Sequence, residues 1–414
     1  MLNKIKNDYK RLFSNFVSLS ILQIANYLLP LITLPYLVRV LGPGKYSLVA
    51  FAQAFIQYFV ILTDYGFNLS ATREIAIHRD NKEKLSEIFS CVMFIKMGLF
   101  LFALIIMSAV VFSFQKFSRE WFIYYLTFGM VMGQVLFPVW FFQGMERMRY
   151  ITLLNITAKL IFTVAVFVFI TQESDYWKAP AFNSAGYIIA GIAGLYLVKK
   201  RFGIGFKFYD FKKIKNYFKD SSQFFLSRVS VSIYTSSNVF ILGFFTSNTM
   251  VGYYAIAEKL YQALQGLYQP ITQVLYPYVA KEKNIALFKN IFKSVVLINI
   301  IAICVLFLFS DELFYLLFSN KITMESIKIF RIFLITSVVV IPSIMIGYPF
   351  LAAMGYPEYA NKSVIYGSLI HFIGLTILIL TGNIKPINVA LMVLITETSV
   401  FVMRRYWVKR KLLL

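Results

Sequence analysis

Long amide and carboxylate side chains recur every three or four residues inside stretches that are otherwise apolar. From Glu258 the series continues through Gln262, Gln265, Gln269 and Thr272; from Gln53 it continues through Gln57 to Asp64. Two further sets join Gln23 and Asn26 to Pro30 and Thr33, and Arg228 to Ser232, Thr235 and Asn238. On a helix this spacing places each set on one face, and in an apolar setting such a face looks toward protein or water. Amides and hydroxyls in rows can line a polar cavity, and a carboxylate among them can exchange a proton.

Ionisable residues add charge to these stretches: Lys96, Lys159, Arg228, Glu258, Lys259 and Glu397 all fall within them. Each costs at least about 2.5 kcal/mol in a membrane interior, so each needs a compensating partner. Burial raises the pKa of a carboxylate and a neighbouring cation lowers it. Glu258, next to Lys259, therefore suits a group that alternates between protonated and cation-paired states, with Asp64 and Glu397 as lesser candidates. A structural ion pair with a neighbouring helix is the alternative. The plainer account of the amides is bonding between packed helices, worth about 0.6 kcal/mol each, and it serves for any one of them. It weakens for five residues on one face, because close helix contacts favour small side chains.

The elements that must carry these faces are membrane spans. A helix crossing the hydrocarbon core needs about 20 mostly apolar residues, and about twelve such stretches can be read here. They run Phe16 to Val38, Tyr46 to Phe67, Leu85 to Phe112, Phe122 to Phe142, Ile151 to Ile170 and Phe182 to Val198. The second set runs Phe224 to Phe245, Val251 to Val279, Ile291 to Phe309, Ile329 to Ala353, Ser363 to Leu380 and Ile387 to Val408. The prediction is an all-α polytopic membrane protein. A chain of 414 residues that is 59% hydrophobic and 14% charged cannot hide that apolar surface in one soluble core. Little length remains for a separate soluble domain.

The net charge of +22 is ordered by position. With the N-terminus taken as cytoplasmic, about 28 of the 41 basic residues fall in inside segments and about seven outside. Eight lie between Lys199 and Lys219, and Arg404, Arg405, Lys409, Arg410 and Lys411 gather at the inside end of the last span. Both termini are thus expected in the cytoplasm, and the basic loops are expected to contact anionic lipid rather than nucleic acid. The basic start and first apolar run are expected to remain in the mature protein as the first span.

The halves repeat. Gln53 and Gln57 precede Glu258 and Gln262 by about 205 residues, and Ser47-Leu48-Val49-Ala50 aligns with Gly252-Tyr253-Tyr254-Ala255. Pro138 and Pro342 keep nearly the same offset. Six spans per half implies parallel repeats: a lobe over 1–200, a basic linker over 201–218 and a lobe over 219–414. The paired polar faces are expected to line one cavity between the lobes. Prolines at 30, 35, 138, 270, 277, 342 and 349 are expected to break or bend the helices.

The sequence lacks the motifs of an integral-membrane enzyme: no HExxH, no Walker loop, no nucleophile elbow. Cys91 and Cys304 both fall within spans, and His78 and His371 stand isolated, so no disulfide, metal site or cofactor is expected.

Two runs carry a family resemblance: Leu34-Pro35-Tyr36-Leu37-Val38-Arg39-Val40-Leu41-Gly42-Pro43-Gly44-Lys45-Tyr46, and Asp64-Tyr65-Gly66-Phe67-Asn68-Leu69-Ser70-Ala71-Thr72-Arg73-Glu74. With Val251-Gly252-Tyr253-Tyr254-Ala255-Ile256-Ala257-Glu258-Lys259, they resemble the polysaccharide-transport family of O-antigen flippases, within the multidrug/oligosaccharidyl-lipid/polysaccharide exporter superfamily. Ser47 departs from it, standing where a glycine is usual, while Gly252 keeps the glycine in the second half.

The resemblance implies a V-shaped, two-lobed, non-enzymatic transporter. It would move undecaprenyl-pyrophosphate-linked oligosaccharide, an O-antigen or similar unit, across the bacterial inner membrane, alongside other polysaccharide-assembly membrane proteins. A pyrophosphate entering a low-dielectric site needs cations; Arg228, Lys259, Arg73, Lys159 and Arg39 are the candidates. The glutamine rows would serve the sugar, with Tyr27, Tyr254 and Tyr261 for stacking. A multidrug or cation antiporter of the same superfamily is the competing reading, a polysaccharide-assembly enzyme is a more distant one, and a scaffold without cargo is a third. Buried basic residues at least as numerous as acidic ones favour an anionic cargo.

Overall fold

A computed structural model describes the backbone of residues 2–319 and 324–412. Side chains are described within those ranges except at 2–20, 24, 223–224, 226–236, 270, 273–274, 277–278, 280–282 and 412. The described residues form helices without strands.

α1 (Leu2–Asp64) is two helices joined at Gly42, whose φ of 70° and ψ of 164° are essentially reserved for glycine. Pro43 follows, with its φ preset for a new first turn. Pro30 and Pro35 lie inside the helix. A break at Tyr65 and Gly66, both at positive φ, leads into α2 (Phe67–Ile77). Then come α3 (Lys82–Ser113), α4 (Gln115–Ser118), α5 (Trp121–Leu136), α6 (Val139–Gly144) and α7 (Met148–Phe169). A 3-10 turn (Glu173–Trp177) precedes α8 (Lys178–Leu197), which ends in a π-helical turn (Val198–Phe202). α9 (Phe211–Phe245), α10 (Asn248–Glu282), α11 (Ile285–Leu308) and α12 (Ser310–Phe318) follow. α13 (Met324–Ile346) passes into a π-helical turn (Gly347–Ala352) before α14 (Pro357–Leu380) and α15 (Pro386–Leu412).

The prolines act as expected in part. Pro138 separates α5 from α6 and Pro349 lies in the π-helical turn, whereas Pro342 sits within α13.

Among the described residues, nine helical segments are long and apolar enough to cross a membrane. Ten of the twelve spans read from sequence fall on them, since the segment 21–77 takes in the first two. The seventh and eighth fall on α9 and α10, which are helices of 35 residues each, outside those nine. Exposed apolar side chains such as Phe94, Leu101, Phe102 and Ile105 on α3 and Leu297, Ile298 and Ile301 on α11 suit lipid contact. The fold is that of an all-α, multi-pass membrane protein.

The chain groups into two compact units, Met1–Leu29 with Phe51–Ser232, and Pro30–Ala50 with Ile233–Leu414. In the first unit α8 packs along α5 and α7, and a core of Phe67, Phe89, Trp140, Phe141 and Phe142 holds α2, α3 and α6 together. In the second, α13 packs against α10 and α15, and Phe288 of α11 stacks on Phe350 at 4.2 Å.

Candidate functional site

In the second unit, the polar face of α10 opens into a chain of hydrogen bonds. Glu258, Gln262, Gln265 and Gln269 are half-buried along it, while Tyr254, Ala257, Leu260 and Tyr261 are buried. The Asn238 amide on α9, itself buried, lies near the Glu258 carboxylate, as do Tyr254 and Lys259. Asn238 Oδ1 lies 2.9 Å from His371 Nε2 on α14. His371 Nδ1 lies 3.0 Å from Thr396 Oγ1 on α15, and the Thr396 hydroxyl donates to the Met392 carbonyl at 2.8 Å. Four helices each supply one member.

The Thr396 hydroxyl already donates to Met392, so it accepts from His371 Nδ1. With Oδ1 toward Nε2, Asn238 asks for a proton on that nitrogen as well, and only a charged ring meets both demands. Turning the amide over lets Nε2 accept, which suits the neutral ring.

Sequence reasoning missed His371. It carries no periodic signal of its own and meets Asn238, 133 positions away, only through helix packing. Glu397 is half-buried beside Thr396 on the same helix. Lys259 is exposed. Tyr254 and Tyr261 are buried and pack on Phe333 of α13, Tyr261 stacking at 4.7 Å and Tyr254 meeting its edge at 5.5 Å; their rings serve the core.

Arg39, in the Pro30–Ala50 segment of the same unit, directs Nε to the Leu317 carbonyl at 2.7 Å and Nη2 to the Leu316 carbonyl. These end α12, so the guanidinium meets the partial negative charge of a helix C-terminus. Gly252 of α10 faces the same segment so closely that a Cβ there would lie 2.5 Å from the Pro43 carbonyl oxygen and 3.2 Å from Ser47 Cβ. The two positions aligned by the repeat, 47 and 252, are therefore neighbours.

Arg404, counted in the sequence among the inside charges, is buried within α15. Its Nε donates to Ser363 Oγ at 2.9 Å and its Nη1 to the Ser343 carbonyl at 2.8 Å, with Gly347 leaving room for the guanidinium.

In the first unit, Lys159 of α7 donates to Asn26 Oδ1 of α1 at 2.7 Å, joining a cationic candidate to an amide candidate. Gln23, Asn26, Gln53 and Gln57 are half-buried. Phe51, Phe55 and Phe59, offset by two positions from Gln53 and Gln57 and so on the opposite face, pack on Phe117, Tyr124 and Phe128. Lys96 is buried, donates to the Gln134 carbonyl at 3.4 Å and interacts electrostatically with Asp64, also buried. Arg73 is exposed on α2. The side chains of Arg228, Ser232 and Thr235 lie outside the described residues. Among the described residues no group of histidine, cysteine and acidic side chains could hold a metal ion.

Known proteins give this arrangement a setting. The family described as polysaccharide biosynthesis protein matches residues 12–283. A protein of Escherichia coli (strain K12) named "Putative O-antigen transporter" is 35% identical over 285 residues, covering 69% of this chain and 68% of that one. Among solved structures, a lipid II flippase MurJ in an inward closed conformation superposes with a TM-score of 0.73 at 14% identity, over 96% of this chain and 87% of that one. An inward-facing multidrug resistance transporter of the MATE family, in the MOP superfamily, gives 0.72 at 15% identity, over 96% and 98%. The structural likenesses establish an exporter fold. The sequence match extends from the first span into the end of α10, taking in the Gly42-Pro43 break, the Asp64-Tyr65-Gly66 turn and the face that carries Glu258, and on that match the chain belongs to the polysaccharide biosynthesis protein family.

Proposed function

We propose that the protein is a flippase for lipid-linked oligosaccharide, with an undecaprenyl-pyrophosphate carrier, working by alternating access in a bacterial inner membrane and driven by a proton gradient. The observation that carries the reading is the Asn238–His371–Thr396 chain, which lies beside Glu258 inside an apolar helix bundle, on a face that continues as a row of glutamines. The names of the relatives support the cargo class: one is called an O-antigen transporter and one a lipid II flippase.

In this reading the amide rows from Gln23 to Gln57 and from Gln262 to Gln269 serve the sugar. Arg228, Lys259, Lys159 and Arg73 neutralise the pyrophosphate, with Arg39, already engaged by the α12 carbonyls, as a further candidate. The isoprenoid tail stays in lipid. Basic side chains within the spans favour this anionic cargo over the cations of an antiporter. Both termini and the basic linker face the cytoplasm, following the charge asymmetry.

Fluorescent lipid-linked oligosaccharide in proteoliposomes, with and without an imposed pH gradient, tests the reading. Translocation should require the protein and accelerate with the gradient. Arg228→Ala should lose most of it and Arg228→Lys should keep part, because an ammonium replaces the charge of a guanidinium but not its fork. Normal transport by well-inserted Arg228→Ala would remove that residue from the site.

A further inference from the structure

The segment joining α8 to α9 is pinned at its core and bare at its edge. Its Gly205 carbonyl accepts from Ser86 Oγ at 3.2 Å and Ser90 Oγ at 3.5 Å, and the Lys207 backbone amide donates to Ser90 at 3.0 Å. Glu87 of α3 closes the clamp, meeting Lys213 at 2.6 Å, Lys84 at 2.5 Å and the Tyr217 hydroxyl at 3.0 Å. That contact holds the Lys213 ammonium above its ordinary pKa range. Ile204 is buried, so the backbone is held at several points.

Against this restraint, Phe206 is 65%, Phe211 72% and Phe208 97% exposed. Around them Lys199, Lys200, Arg201, Lys207, Lys212, Lys215 and Lys219 are exposed, with Asp210 and Asp220 the exposed acidic residues over the same stretch. A fixed strap showing aromatic rings among lysines matches an anionic interface, where rings enter the acyl boundary and ammonium groups meet headgroups. Its position supplies that interface. The strap leaves the end of one membrane-crossing segment, 173–202, and is clamped to the first turns of another, 82–113.

We propose that the strap from Gly203 to Lys219 docks on anionic phospholipid, with Phe206, Phe208 and Phe211 inserted and the flanking lysines holding the headgroups. The docking fixes the α8–α9 connection to the bilayer surface and is independent of the cargo assigned above.

The chain has only two cysteines, so Cys91→Ser with Cys304→Ser gives a background for a spin label at Phe208→Cys in the full protein. In phosphatidylcholine vesicles containing phosphatidylglycerol, the label should be open to oxygen and shielded from a water-soluble nickel complex. In phosphatidylcholine alone, or at high salt, nickel access should rise. Adding Lys207→Gln, Lys212→Gln, Lys215→Gln and Lys219→Gln should abolish the difference between the two vesicles. Equal nickel access in both vesicles would overturn the proposal, as would equal shielding in lipid-free detergent, which would mean that protein covers the ring. In a second measurement, Phe208→Asp, at a position too exposed to disturb folding, should retain phosphatidylglycerol in detergent on the order of tenfold less well than the parent. Unchanged retention would count against insertion.

Discussion

α10 and the second half of α1 occupy matching places in the sequence repeat, yet they differ in chemistry. Both bury one face and turn long polar side chains to the other, Gln53 and Gln57 on α1, Glu258, Gln262, Gln265 and Gln269 on α10. On α10 a carboxylate replaces the first amide and lies near Asn238, which bonds His371 and through it Thr396. Around α1 the charges are lysines that end on an amide, a carbonyl or Asp64. The proposed proton coupling would then belong to α10, with the matching stretch of α1 left to hydrogen bonding.

The sharpest way to break this contrast is Glu258→Gln, which makes α10 resemble α1. Stimulation of transport by a pH gradient should vanish, with the driven rate falling by about tenfold or more, equivalent to ~1.4 kcal/mol, while cargo binding survives. Gln53→Ala and Gln57→Ala should each cost less than about threefold, the worth of an average interhelical hydrogen bond. Gradient dependence that persists in Glu258→Gln would leave that residue a structural role.

Next in size is the packing at the aligned pair. Gly252→Ala sets a methyl against the Pro43 carbonyl and should destabilise the protein by about 1–3 kcal/mol in thermal unfolding in detergent. Ser47→Gly removes a side chain rather than adding one and should cost no more than about 1 kcal/mol, the helix penalty of glycine. Equal effects at the two positions would contradict the close approach.

His371→Leu leaves Asn238 and Thr396 facing an apolar side chain and should cost about 1–3 kcal/mol of stability. It should also blunt the pH-gradient response, which His371→Gln should partly retain. A stability loss with an untouched gradient response would reduce His371 to packing. Smallest is Lys159→Met, which removes one hydrogen bond to a half-buried amide and should cost about 0.5–1.5 kcal/mol, with no change in gradient dependence.

The fold class was legible because the bilayer imposes a one-dimensional rule, an apolar run of a set length, that needs no knowledge of neighbours. The interruption around Gly42 was legible for a similar reason, since the first two apolar runs stop at Val38 and resume at Tyr46. Polar faces on α1 and α10 followed from helical period alone.

Packing decided what period could not. Arg404 reads as a loop charge in sequence but ends inside α15, because the serines that satisfy it come from α13 and α14. Tyr254 and Tyr261 read as stacking surfaces but turn toward Phe333, on a helix about 75 residues away. His371 has no local pattern at all; it acquires partners only where α9, α14 and α15 meet. The sequence by itself determined which segments are helical, which faces are polar and where charges gather, since each follows from spacing along one chain. Tertiary structure alone decided which polar groups are joined into a hydrogen-bonded chain and which cations are already held, because hydrogen bonds depend on atoms within about 3 Å that sequence distance does not rank.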